Sequence, residues 1–509
     1  MEEIRLENIS KRFGSVQAVD DVSVVISPGA VTAVVGENGA GKSTLVKILA
    51  GVVEKDSGRI YRGDRSLSIT SARVAALQGI GMVFQEMALV PDLTVWENVC
   101  LGWETTSRGK LARKEIINRV KSVSEEFGLS IRPEVRVKDL PVSLRQRVEI
   151  LKVLYRDVDT IILDEPTGIL TPQEAESLFA AIDTLRAAGK AVVFISHKLN
   201  EVLRLADVIY VMRRGKLVAK TEPGDLTPRD LAKLMLGEEL PVVEKEKSKV
   251  GSTAIRLDDI CIRNRDGNKI LGPLNLDLKF GEVFGVAGVA GSGQDELVSV
   301  VTGMQKPESG KISIADKSGV LIPYPWANGS TPRRLRDLGL RSSPSDRNEE
   351  ATVASKPLWF SAVGVDYDKP DFYNRGFFNV EAARKHALNL IERGKVKADG
   401  PDVLPSSLSG GNLQKFIVAR DLGAGPRVSV LEEPTRGIDI GSAVRIRSQI
   451  REAAEAGDLC ILVSSDLDEI FQVSDRIAVF CNGRLVGVCE ADSVTVEEIG
   501  AAMTGLVQS

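Results

Sequence analysis

Short runs of consecutive apolar residues recur along the chain, and several stop abruptly at a glycine-rich or charged stretch. Residues 30–35, 81–84, 160–163 and 191–195 are such runs in the first half. Each is four to six residues long and rich in Val, Ile, Leu or Phe, so each reads as a short strand buried in a sheet. Helical stretches separate them, one of them starting at residues 43–50. Strands alternating with helices predict an α/β fold whose mostly parallel sheet is covered on both faces.

The pattern returns once. Ile4-Arg5-Leu6-Glu7-Asn8-Ile9 reappears as Ile255-Arg256-Leu257-Asp258-Asp259-Ile260, Pro28-Gly29-Ala30-Val31 as Phe280-Gly281-Glu282-Val283, and Asp56-Ser57-Gly58-Arg59-Ile60 as Glu308-Ser309-Gly310-Lys311-Ile312. A chain of 509 residues exceeds one ordinary core, so two similar domains are expected. The first spans residues 1–240 and the second 253–509. The Lys/Glu-rich stretch between them, 241–252, reads as a solvated linker.

Composition narrows the class. With 43% hydrophobic and 27% charged residues the protein is an ordinary globular one. Its formal charge of -4 leaves no excess of cations for nucleic acid or an anionic membrane surface. Arg333-Arg334-Leu335-Arg336 accordingly reads as a solvated helix face. The five cysteines are odd in number and show no C-x-x-C spacing, which predicts reduced, mostly buried thiols. The acidic start lacks an apolar signal segment, and no apolar run is long enough to span a bilayer. A membrane role would need a partner.

The candidate chemistry lies where the apolar runs end. Gly36-Glu37-Asn38-Gly39-Ala40-Gly41-Lys42-Ser43-Thr44 fits G-x-x-x-x-G-K-[ST], a loop whose backbone N–H groups cradle phosphates. Lys42 supplies a positive charge to the β/γ-phosphates, and Ser43 a hydroxyl for Mg²⁺. The following helix N-terminus adds its partial positive charge. The run at 160–163 ends in Asp164-Glu165, suited to hold Mg²⁺ through water and to act as general base toward an attacking water. Gln85 follows another run and can reach Mg²⁺ or that water. His197, one of only two histidines, follows the last and can contact the γ-phosphate. Phe13, in a β-rich stretch, either stacks on an adenine ring or fills a core.

In this order, phosphate loop, Gln85, Asp164-Glu165 and His197 resemble the ATP-binding cassette, the motor domain of membrane transporters, and the resemblance covers nearly all of both halves. It implies two tandem P-loop cassettes, each with a mostly parallel sheet, an antiparallel β portion and a helical subdomain. It also implies an LSGGQ-like signature before the Asp-Glu strand. There the first half reads Leu140-Pro141-Val142-Ser143-Leu144, with Pro141 in place of the serine, so this signature is degraded. The second half is the mirror case. Its loop, Gly288-Val289-Ala290-Gly291-Ser292-Gly293-Gln294-Asp295, has Gln294 for the lysine and Asp295 for the hydroxyl residue. The Asp-Glu pair has become Glu432-Glu433, and the histidine position reads Ser464-Ser465-Asp466. Yet Leu408-Ser409-Gly410-Gly411-Asn412 is an intact signature, and Asp439 matches the loop that crosses between cassettes.

Cassettes of this family pair head to tail. The resemblance therefore implies one competent ATP site, holding ATP and Mg²⁺ with Phe13, Gly36, Asn38, Gly39, Gly41, Lys42, Ser43, Thr44, Ser409, Gly410, Gly411 and Asp439. A second, degenerate site would join the poor loop to the poor signature. Fused cassettes with this asymmetry resemble the ATPase of simple-sugar and nucleoside importers. Leu140-Pro141-Val142, Leu170-Thr171-Pro172-Gln173-Glu174 and Phe372-Tyr373-Asn374-Arg375-Gly376-Phe377 lean toward the nucleoside branch. The partners implied are transmembrane permease subunits and an extracytoplasmic solute-binding protein, with the chain held at the cytoplasmic face of the membrane by the permease and no role for nucleic acid. The aromatics scattered over 87–103 and 356–378 either receive permease helices or pack a helical subdomain. The alternative class is a soluble tandem-cassette factor acting on ribosomes or nucleic acid. Such factors keep both phosphate loops, which Gln294 argues against.

Overall fold

The computed structural model describes the chain except residues 1, 85–86, 108, 168–169, 171, 197, 238–249, 264–268, 290, 327–330, 504 and 506–509. It divides into two compact units, Met1–Leu240 and Pro241–Ser509.

The first unit holds a six-stranded sheet with the order Lys216–Thr221, Val208–Arg213, Val31–Gly36, Ala191–Ile195, Thr160–Asp164, Ile80–Val83. All neighbours are parallel except the first pair. The three strands that carry Gly36, Asp164 and the end at Ile195 are buried at every residue, as the apolar runs require. A four-stranded antiparallel sheet, ordered Val16–Ile26, Ile4–Phe13, Ser57–Arg62, Arg65–Leu67, packs its apolar face into the same core. Ile9, Val22 and Val34 meet there. Helices Val95–Cys100, Arg113–Glu126 and Val142–Leu154 form the helical part between the second apolar run and Asp164.

The second unit repeats this plan. Its six strands run Leu340–Ser343, Val428–Glu432, Leu459–Val463, Val283–Gly288, Arg476–Cys481, Arg484–Glu490, again parallel apart from the last pair. Helices Leu358–Val363, Val380–Arg393 and Gly410–Asp421 make its helical part around Leu358, Phe416 and Ile417.

Several local expectations sharpen here. The helix at Thr331–Asp337 buries Leu335 and leaves Arg333 half exposed in an ion pair with Asp368, so its arginines are a solvated face. The thiols are all free, but only Cys100 and Cys460 are buried. Cys261, Cys481 and Cys489 are half-buried, because Cys481 and Cys489 lie on the last two strands at a sheet edge and Cys261 on a sheet with a solvated face. Of the aromatics in the helical parts, Trp96 and Phe372 are core residues, whereas Tyr373 and Phe377 stand out into solvent on the hairpin Tyr373–Asn374/Phe377–Phe378.

Candidate active site

The first loop leaves strand Val31–Gly36 and enters helix Lys42–Leu49. Backbone crowding dictates its glycines. A Cβ at Gly36 would lie 2.2 Å from the Met212 carbonyl oxygen, and one at Gly41, which has φ +99°, 2.1 Å from that of Ala18. Lys42 is only 6% exposed. Its Nζ donates to the carbonyl oxygens of Gly36 at 2.8 Å and Glu37 at 3.0 Å, so the ammonium is folded across the mouth of the loop. Burial lowers its pKa, while the carboxylates of Glu165, Asp164 and Glu37 act in the opposite direction.

Ser43 and Asp164 converge. The serine Oγ donates to Asp164 Oδ1 at 3.4 Å, a long contact. Asp164 is buried at the strand end; burial, and then Glu165, raises its pKa. One hydroxyl facing one carboxylate is a small, hard-oxygen donor set. It suits Mg²⁺, which keeps several waters and takes its remaining ligands from phosphates. Glu165 follows with φ +50°, and its N–H donates to the Ile195 carbonyl at 2.9 Å. A left-handed glutamate costs about 1–2 kcal/mol, and Glu433 repeats it at φ +47°. Gln85 and His197 lie outside the described residues.

Of the remaining loop residues, Asn38 is exposed and Thr44 half-buried. Phe13 is 49% exposed, so it fills no core. It pairs with Val16 beside Ala18, the residue that packs on Gly41, and the Lys11 ammonium lies 5.4 Å from its ring centroid.

The second loop reproduces the frame without the lysine and the hydroxyl. Gly293, at φ +112°, precedes helix Gln294–Val301. Gln294 is 7% exposed and donates from Nε2 to the Val289 carbonyl at 3.3 Å. Where the first site balances its carboxylates with Lys42, this one gathers Asp295, Glu350, Glu432 and Glu433. Burial, followed by those three neighbours, pushes the Glu432 carboxyl up to about 7. Glu433 is committed elsewhere, accepting at 2.7 Å the N–H of Ser465, the residue that stands at the sequence position of His197.

The signatures differ in the same decisive way. Ser409 caps helix Gly410–Asp421, its Oγ accepting the Asn412 N–H at 3.4 Å, whereas Pro141 caps helix Val142–Leu154 with no side-chain bond. A Cβ at Gly411 would come within 3.2 Å of the Gly437 carbonyl. Asp439 accepts the Ser442 N–H and hydroxyl, both at 2.8 Å, and pairs with Lys415 at 3.1 Å. Burial raises its pKa, but those partners outweigh burial and leave it lowered.

Two supporting groups escaped the sequence reading. Arg347 donates from Nη1 to the Gly410 carbonyl at 3.1 Å and from Nη2 to that of Arg436, clamping the signature to the loop before Asp439. Buried Glu201 accepts from Thr167 at 2.6 Å and Ser196 at 3.0 Å, tying the segment after Glu165 to the strand end before His197. Glu469 accepts from Ser464 at 2.8 Å in the second unit. The signal for it was available: both glutamates stand five residues after the serine, in both halves.

The ABC transporter family model matches residues 19–168 and 271–436. A nucleoside import ATP-binding protein of Lactococcus lactis subsp. cremoris is 37% identical over 503 residues, covering 99% of this chain and 98% of that protein. A glucose import ATP-binding protein of Haloferax volcanii is 35% identical over 533 residues, covering 99% and 96%. Among solved structures, an archaeal ribosome recycling factor in complex with a ribosomal stalk protein superposes with a TM-score of 0.59 at 20% identity, over 93% of this chain and 87% of that one; this likeness is one of fold alone.

Proposed function

The chain belongs to the ABC transporter family, and on that premise we propose that it is the ATP-hydrolysing subunit of an importer for nucleosides or simple sugars, with nucleosides the first choice. The observation that carries the reading is the distribution of parts: Lys42, Ser43, Asp164 and Glu165 stand together in one unit, and the other unit lacks both the lysine and the hydroxyl. A tandem factor of the ribosome would share only the fold.

In this reading the Lys42 ammonium leaves the carbonyls of Gly36 and Glu37 for the γ-phosphate oxygens, exchanging two neutral acceptors for anionic ones. Loop N–H groups from Gly36 to Thr44, Asn38 and Gly39 among them, surround the phosphates, and Phe13 stacks on the adenine. Ser43, Asp164 and Gln85 hold Mg²⁺, which when bound neutralises phosphate charge. Glu165 takes the proton of the attacking water, and His197 contacts the γ-phosphate. The signature that serves this loop is Ser409-Gly410-Gly411, with Asp439 beside it, because Pro141 has no N–H to offer. The degenerate site adds binding without turnover or remains empty. Permease subunits and an extracytoplasmic solute-binding protein complete the assembly. They hold the chain at the cytoplasmic face of the membrane, in keeping with the lack, among the described residues, of any helix long and apolar enough to cross it.

The test is purification of the chain from membranes with its permease and binding protein, followed by identification of the solute on the binding protein. A nucleoside, or failing that a pentose or hexose, supports the reading. Recovery with ribosomes and without a permease overturns it.

A further inference from the structure

The second unit carries a cleft of about 340 Å³ between the end of helix Val380–Arg393, helix Gly410–Asp421 and helix Ile440–Glu455. Four cations line it, Arg393, Lys395, Lys415 and Arg445, against the single carboxylate of Glu452. The Ser448 hydroxyl in the same lining is buried and has no hydrogen-bond partner among the described residues.

The first unit shows what this place looks like when it has no such use. The helix ending at Arg393 and the one ending at Glu126 are both 14 residues long, and the N–H of Val396 bonds Ile391 as that of Leu129 bonds Ser124. Lys395 therefore corresponds to Gly128, and Arg393 to Glu126. Lys415 and Arg147 are each the sixth residue of their helix, as are Arg445 and Ser177. Glu452 falls on Thr184. One cation and one carboxylate thus occupy the positions that hold four cations and one carboxylate in the second unit.

Lys395 is the telling residue. It sits at φ +48°, in the left-handed region that Gly128 occupies at φ +64°. Glycine is the natural residue there, so local backbone preference does not account for the lysine.

We propose that this cleft binds a small, multiply charged anion bearing phosphate or carboxylate groups. The site lies wholly on the second unit and does not depend on the importer reading. It has a consequence for the neighbouring machinery: Lys415 is paired with Asp439 at 3.1 Å, so an anion in the cleft competes for the ammonium that holds that loop residue.

The experiment is calorimetric titration of the full chain carrying Lys42→Ala, which silences the phosphate loop, with inorganic pyrophosphate in one arm and citrate in the other. The same titrations are repeated after adding Lys395→Gly and Arg445→Ser, which install the residues of the first unit. Saturable one-to-one binding of either anion, weakened at least tenfold by the double change, is the expected result, and the arm that binds identifies the group recognised. The double variant on an otherwise native chain should keep its melting temperature and basal ATPase, which separates loss of the site from loss of the fold. Failure of both anions to bind, or equal affinity with and without the double change, would overturn the proposal.

Discussion

Gly41 and Gly293 sit at φ +99° and +112°, each one residue ahead of an eight-residue helix, and the side chain that follows is buried in both, a lysine in the first unit and a glutamine in the second. Strand, turn and helix are thus set by glycine and by apolar packing, with no need for the cation. What separates the two loops is charge: the second has lost an ammonium and gained the Asp295 carboxylate beside Glu432 and Glu433. The frame of a phosphate loop is therefore cheap to keep after its chemistry has gone, and fold similarity between the halves says nothing about their activity.

The comparison breaks most sharply at the lysine. Lys42→Ala should lower steady-state ATPase by roughly 100-fold or more, the scale of removing a preorganised charge from a phosphoryl-transfer site. Gln294→Ala, which removes a neutral amide bonded to Val289, should leave most of it. Equal losses in a phosphate-release assay would refute the assignment. Glu165→Gln comes next. It keeps the side chain's size and removes the base, so ATP binding should persist while turnover falls about 100-fold. Glu433→Gln should have little effect, since that carboxylate is already bonded to the Ser465 N–H.

A smaller loss is expected at the signatures. Ser409→Arg puts a bulky cation at the cap of the intact signature helix and should cut ATPase of the assembled transporter about tenfold or more, by analogy with losing one transition-state donor set. Pro141→Arg, at the cap that already lacks an N–H, should do less. The reverse order would contradict the pairing of the good loop with the good signature.

The loops, the carboxylate pair and the strand ends were legible because their parts are adjacent in sequence and their spacing is itself the chemistry. Arg347 was not, since its acceptors lie 63 and 89 residues away and a lone arginine carries no periodic signal. The Lys415–Asp439 pair and the cationic cleft share that difficulty: they form where three helices meet. The cysteines misled for another reason. Thiol burial depends on whether a strand is central or at an edge, which strand order decides and composition does not. Phe13 stood open between two readings, and only its exposure removed the core one.

The smallest effect sharpens the electrostatic half of the comparison. The Glu432 carboxyl is raised to about 7 from an ordinary 4.5 by burial and by Asp295, Glu350 and Glu433. A carboxyl raised on folding lends stability below its unfolded pKa and loses that contribution as pH rises through the folded one. Glu432→Gln should therefore match the parent at pH 4.5 and below. Above pH 7 it should melt a few degrees higher, about what 1 kcal/mol moves a domain of this size. A thermal melt at both ends of that window checks it; a Tm gain confined to acid would reverse the sign and the explanation.

One measurement tests the division of labour directly. Vanadate trapping requires the whole phosphoryl-transfer arrangement, because it mimics the transition state rather than bound ATP. With labelled nucleotide and the assembled transporter, trapping should saturate at one nucleotide per chain and vanish in the Lys42→Ala variant. Two trapped nucleotides per chain, or trapping that survives Lys42→Ala, would contradict the account.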